Sequence, residues 1–190
     1  MMRLYYLHGF NSSPGSAKAL LVKDFLARYH PQVELVLPAL HFAPAEAIAM
    51  LEADIQAHSG PKALMGSSLG GFYATCLAEK HDLKAVLVNP AVRPFELLAD
   101  YLGPQVNPYT GEHFEVRAEH MAQLQALYIQ PLAKPGRFWV LQKQGDEVLD
   151  WRQARDHYQG ARLTIDAGGD HAFTDLAKYL PQVPAFLDFY

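Results

Sequence analysis

Three features of the sequence predict a doubly wound α/β domain. The apolar pattern switches repeatedly between short strand-like runs and helical spacing. The strand-like runs are apolar on both faces, and Gly, Pro, Asn or Asp follows most of them. Strands buried on both faces and alternating with helices build a parallel sheet, and right-handed crossovers then place helices on both of its sides. With 190 residues, the chain is expected to form one such domain over residues 1–190, since domains usually hold about 100–200 residues.

The elements follow in order. Arg3–Leu7 is an apolar run ended by His8-Gly9 and reads as a buried strand. After the turn residues 11–15, a helical pattern starts near Ser16. Leu21, Val22, Phe25, Leu26 and Tyr29 then recur at three- and four-residue spacing, which gives one apolar face. Val33–Leu37 is a second strand. Pro44 suits a first helical position, with Ile48, Leu51 and Ile55 as the buried stripe behind it. Lys62–Met65 is a strand, Leu69–His81 a helix, and Ala85–Val88 a strand closed by Asn89-Pro90. Phe138–Gln142 is a strand, Trp151–Tyr158 a helix and Leu163–Ile165 a strand. A final helix is expected over Phe173–Phe189, interrupted near Pro181 and Pro184. Residues 93–135 break the rhythm, with Gly103-Pro104, Asn107-Pro108 and Thr110-Gly111 set among aromatics. An excursion of that length between strands is usually functional, and a lid is expected.

Composition narrows the function classes. Lys+Arg number 16 against Asp+Glu 20, a net charge of -4 without a basic run, so phosphate-rich partners such as nucleic acids are disfavoured. No stretch reaches the roughly 20 apolar residues that cross a bilayer, and the N-terminal apolar run is too short for a signal-peptide core. A cytoplasmic location is expected. The single cysteine, Cys76, cannot form an internal disulfide and reads as a small buried filler. The histidines lack metal-binding spacing, so no metal is expected. His113 and His120 read as solvated or packed.

The chemistry centres on Gly66-Ser67-Ser68-Leu69-Gly70, a G-x-S-x-G pattern between an expected strand and an expected helix. This is the arrangement of a nucleophile elbow, in which a strained turn lifts the serine hydroxyl above the sheet. A glycine-rich phosphate-binding turn is the competing reading. It lacks both G-x-G-x-x-G and a P-loop lysine. Ser68 is therefore the candidate nucleophile. A serine needs a base to take its proton and an acid to orient that base, in the chain order Ser, Asp or Glu, His. Asp146 falls just past the strand 138–142, and His171 in the loop after the strand 163–165. Loops beyond the carboxyl ends of parallel strands are where such sheets bind ligands. Glu147 and Asp150 are rival acids, and Asp170 adjoins His171.

An oxyanion needs two amide donors. Leu69, directly after the nucleophile, supplies one; the loop after the first strand supplies the other, with Phe10 preferred over Asn11. His8 reads as a brace for that loop. The loop-borne Phe95, Tyr101 and Tyr109 are candidates to line an acyl pocket. Arg93 either holds a substrate anion or pairs with Glu96 or Asp100.

The runs 4–13, 66–71, 88–94, 107–111, 145–150 and 171–173 resemble the α/β-hydrolase superfamily, and more closely the small bacterial YqiA-type esterases. The resemblance implies an α/β-hydrolase fold in minimal form, with six parallel strands ordered 2-1-3-4-5-6 in this chain's own count. It implies a serine esterase acting on acyl esters or thioesters through Ser68, Asp146 and His171, with no cofactor and a small-molecule ester as partner. Two rival readings are a hydrolase-shaped binding or signalling protein without turnover, and an amidase or C–C hydrolase using the same three residues.

Overall fold

The computed structural model describes residues 1–189. Strands and helices alternate through β1 (Met2–Leu7), α1 (Ala17–Tyr29), β2 (Val33–Val36), α2 (Pro44–Ala57), β3 (Lys62–Ser67), α3 (Leu69–His81) and β4 (Ala85–Val88). An inserted segment follows, with the short helix α4 (Pro94–Leu97), the strands β5 (Gly103–Val106) and β6 (His113–Val116), and α5 (Ala118–Leu127). The alternation resumes with β7 (Phe138–Lys143), α6 (Trp151–His157), β8 (Arg162–Asp166) and the short α7 (Val183–Phe186).

The main sheet has six strands in the order β2-β1-β3-β4-β7-β8, every neighbouring pair parallel. With the insertion's own strands left out of the count, this is the order that the resemblance implied. Alternation along each strand feeds two cores. Tyr5, Leu7, Leu64, Leu87 and Val140 face α2, α3 and α6, while Leu4, Tyr6, Met65, Val88, Trp139 and Leu141 face α1 and the C-terminal segment. Helix α3 is buried from Gly70 to Ala78, which fits a central helix packed on all sides.

Two expectations change. The insertion is not an irregular excursion, because β5 and β6 form an antiparallel two-stranded sheet. Gly103-Pro104 reads as a turn, yet Pro104 sits opposite Glu115 in this ladder, where an edge strand tolerates a residue without an amide donor. The helix expected over 173–189 is absent as a continuous element. Its place is taken by 3-10 turns at Leu176–Lys178 and Leu180–Gln182 and the four residues of α7. Pro181 and Pro184 withhold the amides that a continuous helix needs, and Phe173, at φ 53°, lies outside helical space.

Candidate active site

Ser68 sits between β3 and α3 at φ 56°, ψ -119°, a backbone state that L residues enter only under constraint. The constraint is visible. Its amide donates to Val88 O (3.1 Å), and its carbonyl accepts from Gly71, Phe72 and Ala91 amides. The hydroxyl is not spent on capping α3. Gly70 is required by space: a Cβ there would lie 1.9 Å from Leu7 O, so β1 and α3 cross at backbone contact. Gly66 faces Gly70 in the same way, at 2.3 Å.

The loops after β7 and β8 interlock just as tightly. The Gly145 amide donates to Gly168 O (2.8 Å), and a Cβ on Gly145 would meet Gly169 O at 2.2 Å. This brings Asp146 to His171. Asp146 Oδ2 accepts from His171 Nδ1 at 2.8 Å, and Oδ1 accepts from the Val148 and Leu149 amides at 2.9 Å each. With its side chain fully buried and both oxygens engaged, the carboxylate holds the imidazole in one orientation and one tautomer.

The rival carboxylates have other work. Glu147 accepts from the His171 backbone amide (3.0 Å), a bond that pulls its pKa down. Asp170 Oδ1 accepts from the Phe173 amide, and Asp150 caps α6 through the Arg152 amide.

Ser68 and His171 line one cavity of about 510 Å³ together with Phe10, Asn11 and Tyr109. No hydrogen bond joins Ser68 to the His171 ring among the described residues. The Phe10 and Leu69 amides likewise have no hydrogen-bond partner among the described residues, and Leu69 is the first residue of α3. His8 is braced at both ring nitrogens, accepting from the Leu40 amide (3.1 Å) and facing Gly9 O (2.9 Å), and burial lowers its pKa. Cys76 is buried, its thiol pushed up to about 11 by desolvation.

The remaining pocket candidates divide. Tyr109 lines the cavity from the tip of the β5–β6 hairpin. Tyr101 meets the edge of Phe10 (5.5 Å between centroids) and stays outside the cavity lining. Arg93 and Phe95 lie elsewhere. Arg93 pairs with Glu96 (2.6 Å) and stacks over Phe95, and Phe95 packs against Tyr128. Of the two roles open to Arg93, the pair with Glu96 is the one formed, and Phe95 is not among the residues that line the cavity with Ser68 and His171.

Two residues went unread in the sequence. Asn89 is fully buried at φ 40°. Its amide nitrogen donates to Asp170 O (3.0 Å) and His171 O (3.2 Å), and its oxygen accepts from the Lys143 amide (2.9 Å). It ties the end of β4 to β7 and to the histidine loop, and its only sequence signal is the Asn-Pro after a strand. Lys18, in the first turn of α1, also lines the cavity, with Nζ donating to Ala172 O (2.9 Å). Nothing in its local sequence marks it. Among the described residues, no cluster of His, Cys, Asp or Glu is arranged for a metal ion, and no helix is long and apolar enough to cross a membrane.

Sheet order, elbow and interlocked loops together define an α/β-hydrolase fold. The chain belongs to the uncharacterised protein family UPF0227, whose family model matches residues 3–188. Among curated proteins it is similar to a UPF0227 protein of Shewanella sp. (strain ANA-3), 28% identical over 96% of this chain and 98% of the relative. It is also similar to the UPF0227 protein YcfP of Salmonella paratyphi A, at 26% over 96% and 97%. Solved structures share the fold at lower identity. A putative hydrolase from Agrobacterium vitis S4 matches with a TM-score of 0.75 at 19% identity, covering 98% of this chain and 88% of that one. Mouse alpha/beta hydrolase domain-containing protein 10 matches with a TM-score of 0.72 at 15% identity, covering 98% and 89%.

Proposed function

We propose that the protein is a serine esterase of small acyl esters or thioesters. The observation that carries this reading is the opening of one cavity onto both the strained Ser68 and the imidazole of His171, which the buried Asp146 holds. In the proposed reaction the Ser68 hydroxyl attacks the substrate carbonyl carbon, and its proton passes to His171 Nε2 as the C–O bond to the enzyme forms. The developing oxyanion is held by the Leu69 and Phe10 amides, the first of them strengthened by the start of α3. Collapse of the tetrahedral intermediate breaks the bond to the alcohol or thiol, which leaves with the proton from His171. Water, deprotonated by the same imidazole, then hydrolyses the acyl-enzyme. Ser68 and His171 approach hydrogen-bonding distance when substrate binds, as catalytic pairs often tighten only in the complex. The inserted hairpin acts as a lid that carries Tyr109 over the opening.

Ser68→Ala is expected to abolish turnover of nitrophenyl acyl esters and labelling by a fluorophosphonate, with the circular dichroism spectrum retained. The wild-type protein leaving the probe unreacted would favour a hydrolase-shaped binding protein instead. Undiminished turnover by Ser68→Ala would remove Ser68 from the mechanism.

A further inference from the structure

The cavity wall opposite the hairpin carries groups that the proposed reaction does not use. Lys18 Nζ offers three donors, and its one described bond goes to a neutral carbonyl, Ala172 O. Two carboxylates face it, but Asp146 is committed to His171 and Asp170 to the Phe173 amide, and neither forms an ion pair with Lys18. Desolvation depresses the Lys18 pKa, with Asp170 and Asp146 partly restoring it. A partly buried ammonium without a counter-ion carries a cost that a bound anion would relieve. Beside it, the Tyr6 side chain, 1% exposed, contributes to the same cavity wall, its buried hydroxyl turned to Ser67. The first turn of α1, which bears Lys18, contains no acidic residue, so the helix start adds to the positive potential there.

The geometry points to a substrate that carries a carboxylate inside this cavity, bound by Lys18 Nζ while its ester carbonyl lies at Ser68. This inference rests on the esterase reading and names its substrate class: half-esters of dicarboxylic acids, or esters of carboxylated alcohols. Lys18 is then a specificity-determining residue.

The test compares charged with neutral esters. One pair is the nitrophenyl monoester of glutaric acid against nitrophenyl valerate, which places the charge on the acyl side. The other is 4-carboxyphenyl valerate against its methyl ester, which places it on the leaving group. The readout is the charged-to-neutral ratio of kcat/KM. Lys18→Gln keeps a donor for Ala172 O but removes the charge, and is expected to lower this ratio about tenfold in one pair, as loss of a charge-assisted hydrogen bond does. The pair that responds tells which side of the ester lies by Lys18. Lys23→Gln, on the exposed face of the same helix, is expected to leave the ratio within about twofold and so controls for net charge. A Lys18→Gln ratio within about twofold of wild type in both pairs would overturn the inference and reduce Lys18 to a clamp on the 171–174 loop.

If the wild-type protein turns over no ester and resists the fluorophosphonate, the esterase reading fails by itself. Calorimetric binding of glutarate to wild type and Lys18→Gln then decides the anion site. Binding that weakens in the variant supports it, while no binding or equal binding rejects it.

Discussion

The two walls of the cavity are held by different physics. The wall bearing Ser68, Asp146 and His171 is interlocked backbone, with Gly70 against Leu7 O and Gly145 against Gly169 O, closer than any side chain could fit. The facing wall, the β5–β6 hairpin, rests on one edge-on and one stacked ring contact and, among the described residues, on a single anchoring bond. Phe114 meets Phe10 at 6.0 Å and Phe42 at 5.2 Å, and Asn107 Nδ2 donates to Ser12 O at 2.9 Å. Such ring pairs contribute about 0.5–1.5 kcal/mol each beyond their burial, so they can part and re-form at modest cost, which backbone contact without space cannot. Tyr109, at the hairpin tip, remains 58% exposed. The difference teaches that the backbone frame around Ser68, Asp146 and His171 leaves little room to shift, whereas the hairpin can adjust.

The largest expected effect breaks the interlock outright. Gly70→Ala would place a methyl 1.9 Å from Leu7 O and must separate β1 from α3. Overpacking of this kind costs about 1–3 kcal/mol or more, and both the melting temperature and esterase activity are expected to fall sharply. The matched change in the other wall is Gly111→Ala. That glycine has φ +73°, but a Cβ there meets nothing within 4 Å. Only the backbone conformation is penalised, by about 1–2 kcal/mol, and in a hairpin tip that loss can be met locally. Thermal unfolding of the two variants side by side checks the contrast; equal losses would mean that the walls do not differ as described.

Asn89 sharpens the same comparison from within the rigid wall. Asn89→Ala removes three hydrogen bonds that converge on the 170–171 backbone and the end of β7. It touches no substrate, so it is a positioning residue for His171. Misplacing a catalytic group by about 1 Å can cost on the order of a hundredfold, and kcat is expected to fall by roughly ten- to a hundredfold with little change in KM. Asn89→Asp, which keeps the acceptor for the Lys143 amide but loses both donors, should follow the alanine variant. Should the aspartate variant retain wild-type kcat, the donors to the histidine loop would be irrelevant.

Much of the rigid wall was legible in the sequence, because its logic is local. The glycines around Ser68 announce a crowded turn within five residues, and Asp146 and His171 each follow a recognisable strand and a Gly. What the sequence hid depends on packing between distant segments. Asn89 acts on residues more than 80 positions away, and an Asn at a strand end has no local mark for that. Lys18 looks like any lysine in a first helical turn until the 171–174 loop folds over it. Phe95 has the pattern of a pocket residue but packs against Tyr128, whereas the pairing of Arg93 with Glu96 was one of the two roles its sequence allowed. In the adjustable wall and the C-terminal segment, local signals competed. Turn residues concealed β5, and apolar spacing after Phe173 suggested a helix that Pro181 and Pro184 do not permit.

The smallest expected effect concerns how the rigid wall responds to acid. Asp166, at the end of β8, takes a hydrogen bond from Lys143 (2.8 Å) and contacts Tyr179 and Lys178, and these partners, Lys143 foremost, hold its pKa down at about 2. In the unfolded chain the same carboxyl titrates near about 3.9. A group depressed on folding contributes its full stabilisation above the unfolded value and loses it as pH falls towards the folded one. Asp166→Asn is therefore expected to lower the melting temperature at pH 6, with the deficit against wild type shrinking between about pH 4 and pH 2. Because Lys143 also binds Asp175 (2.8 Å), the loss at neutral pH is partial rather than complete. The Lys143 ammonium keeps one carboxylate, and the histidine loop keeps Asn89. A deficit that stays constant down to pH 2 would show that Asp166 supports the wall by shape and not by charge.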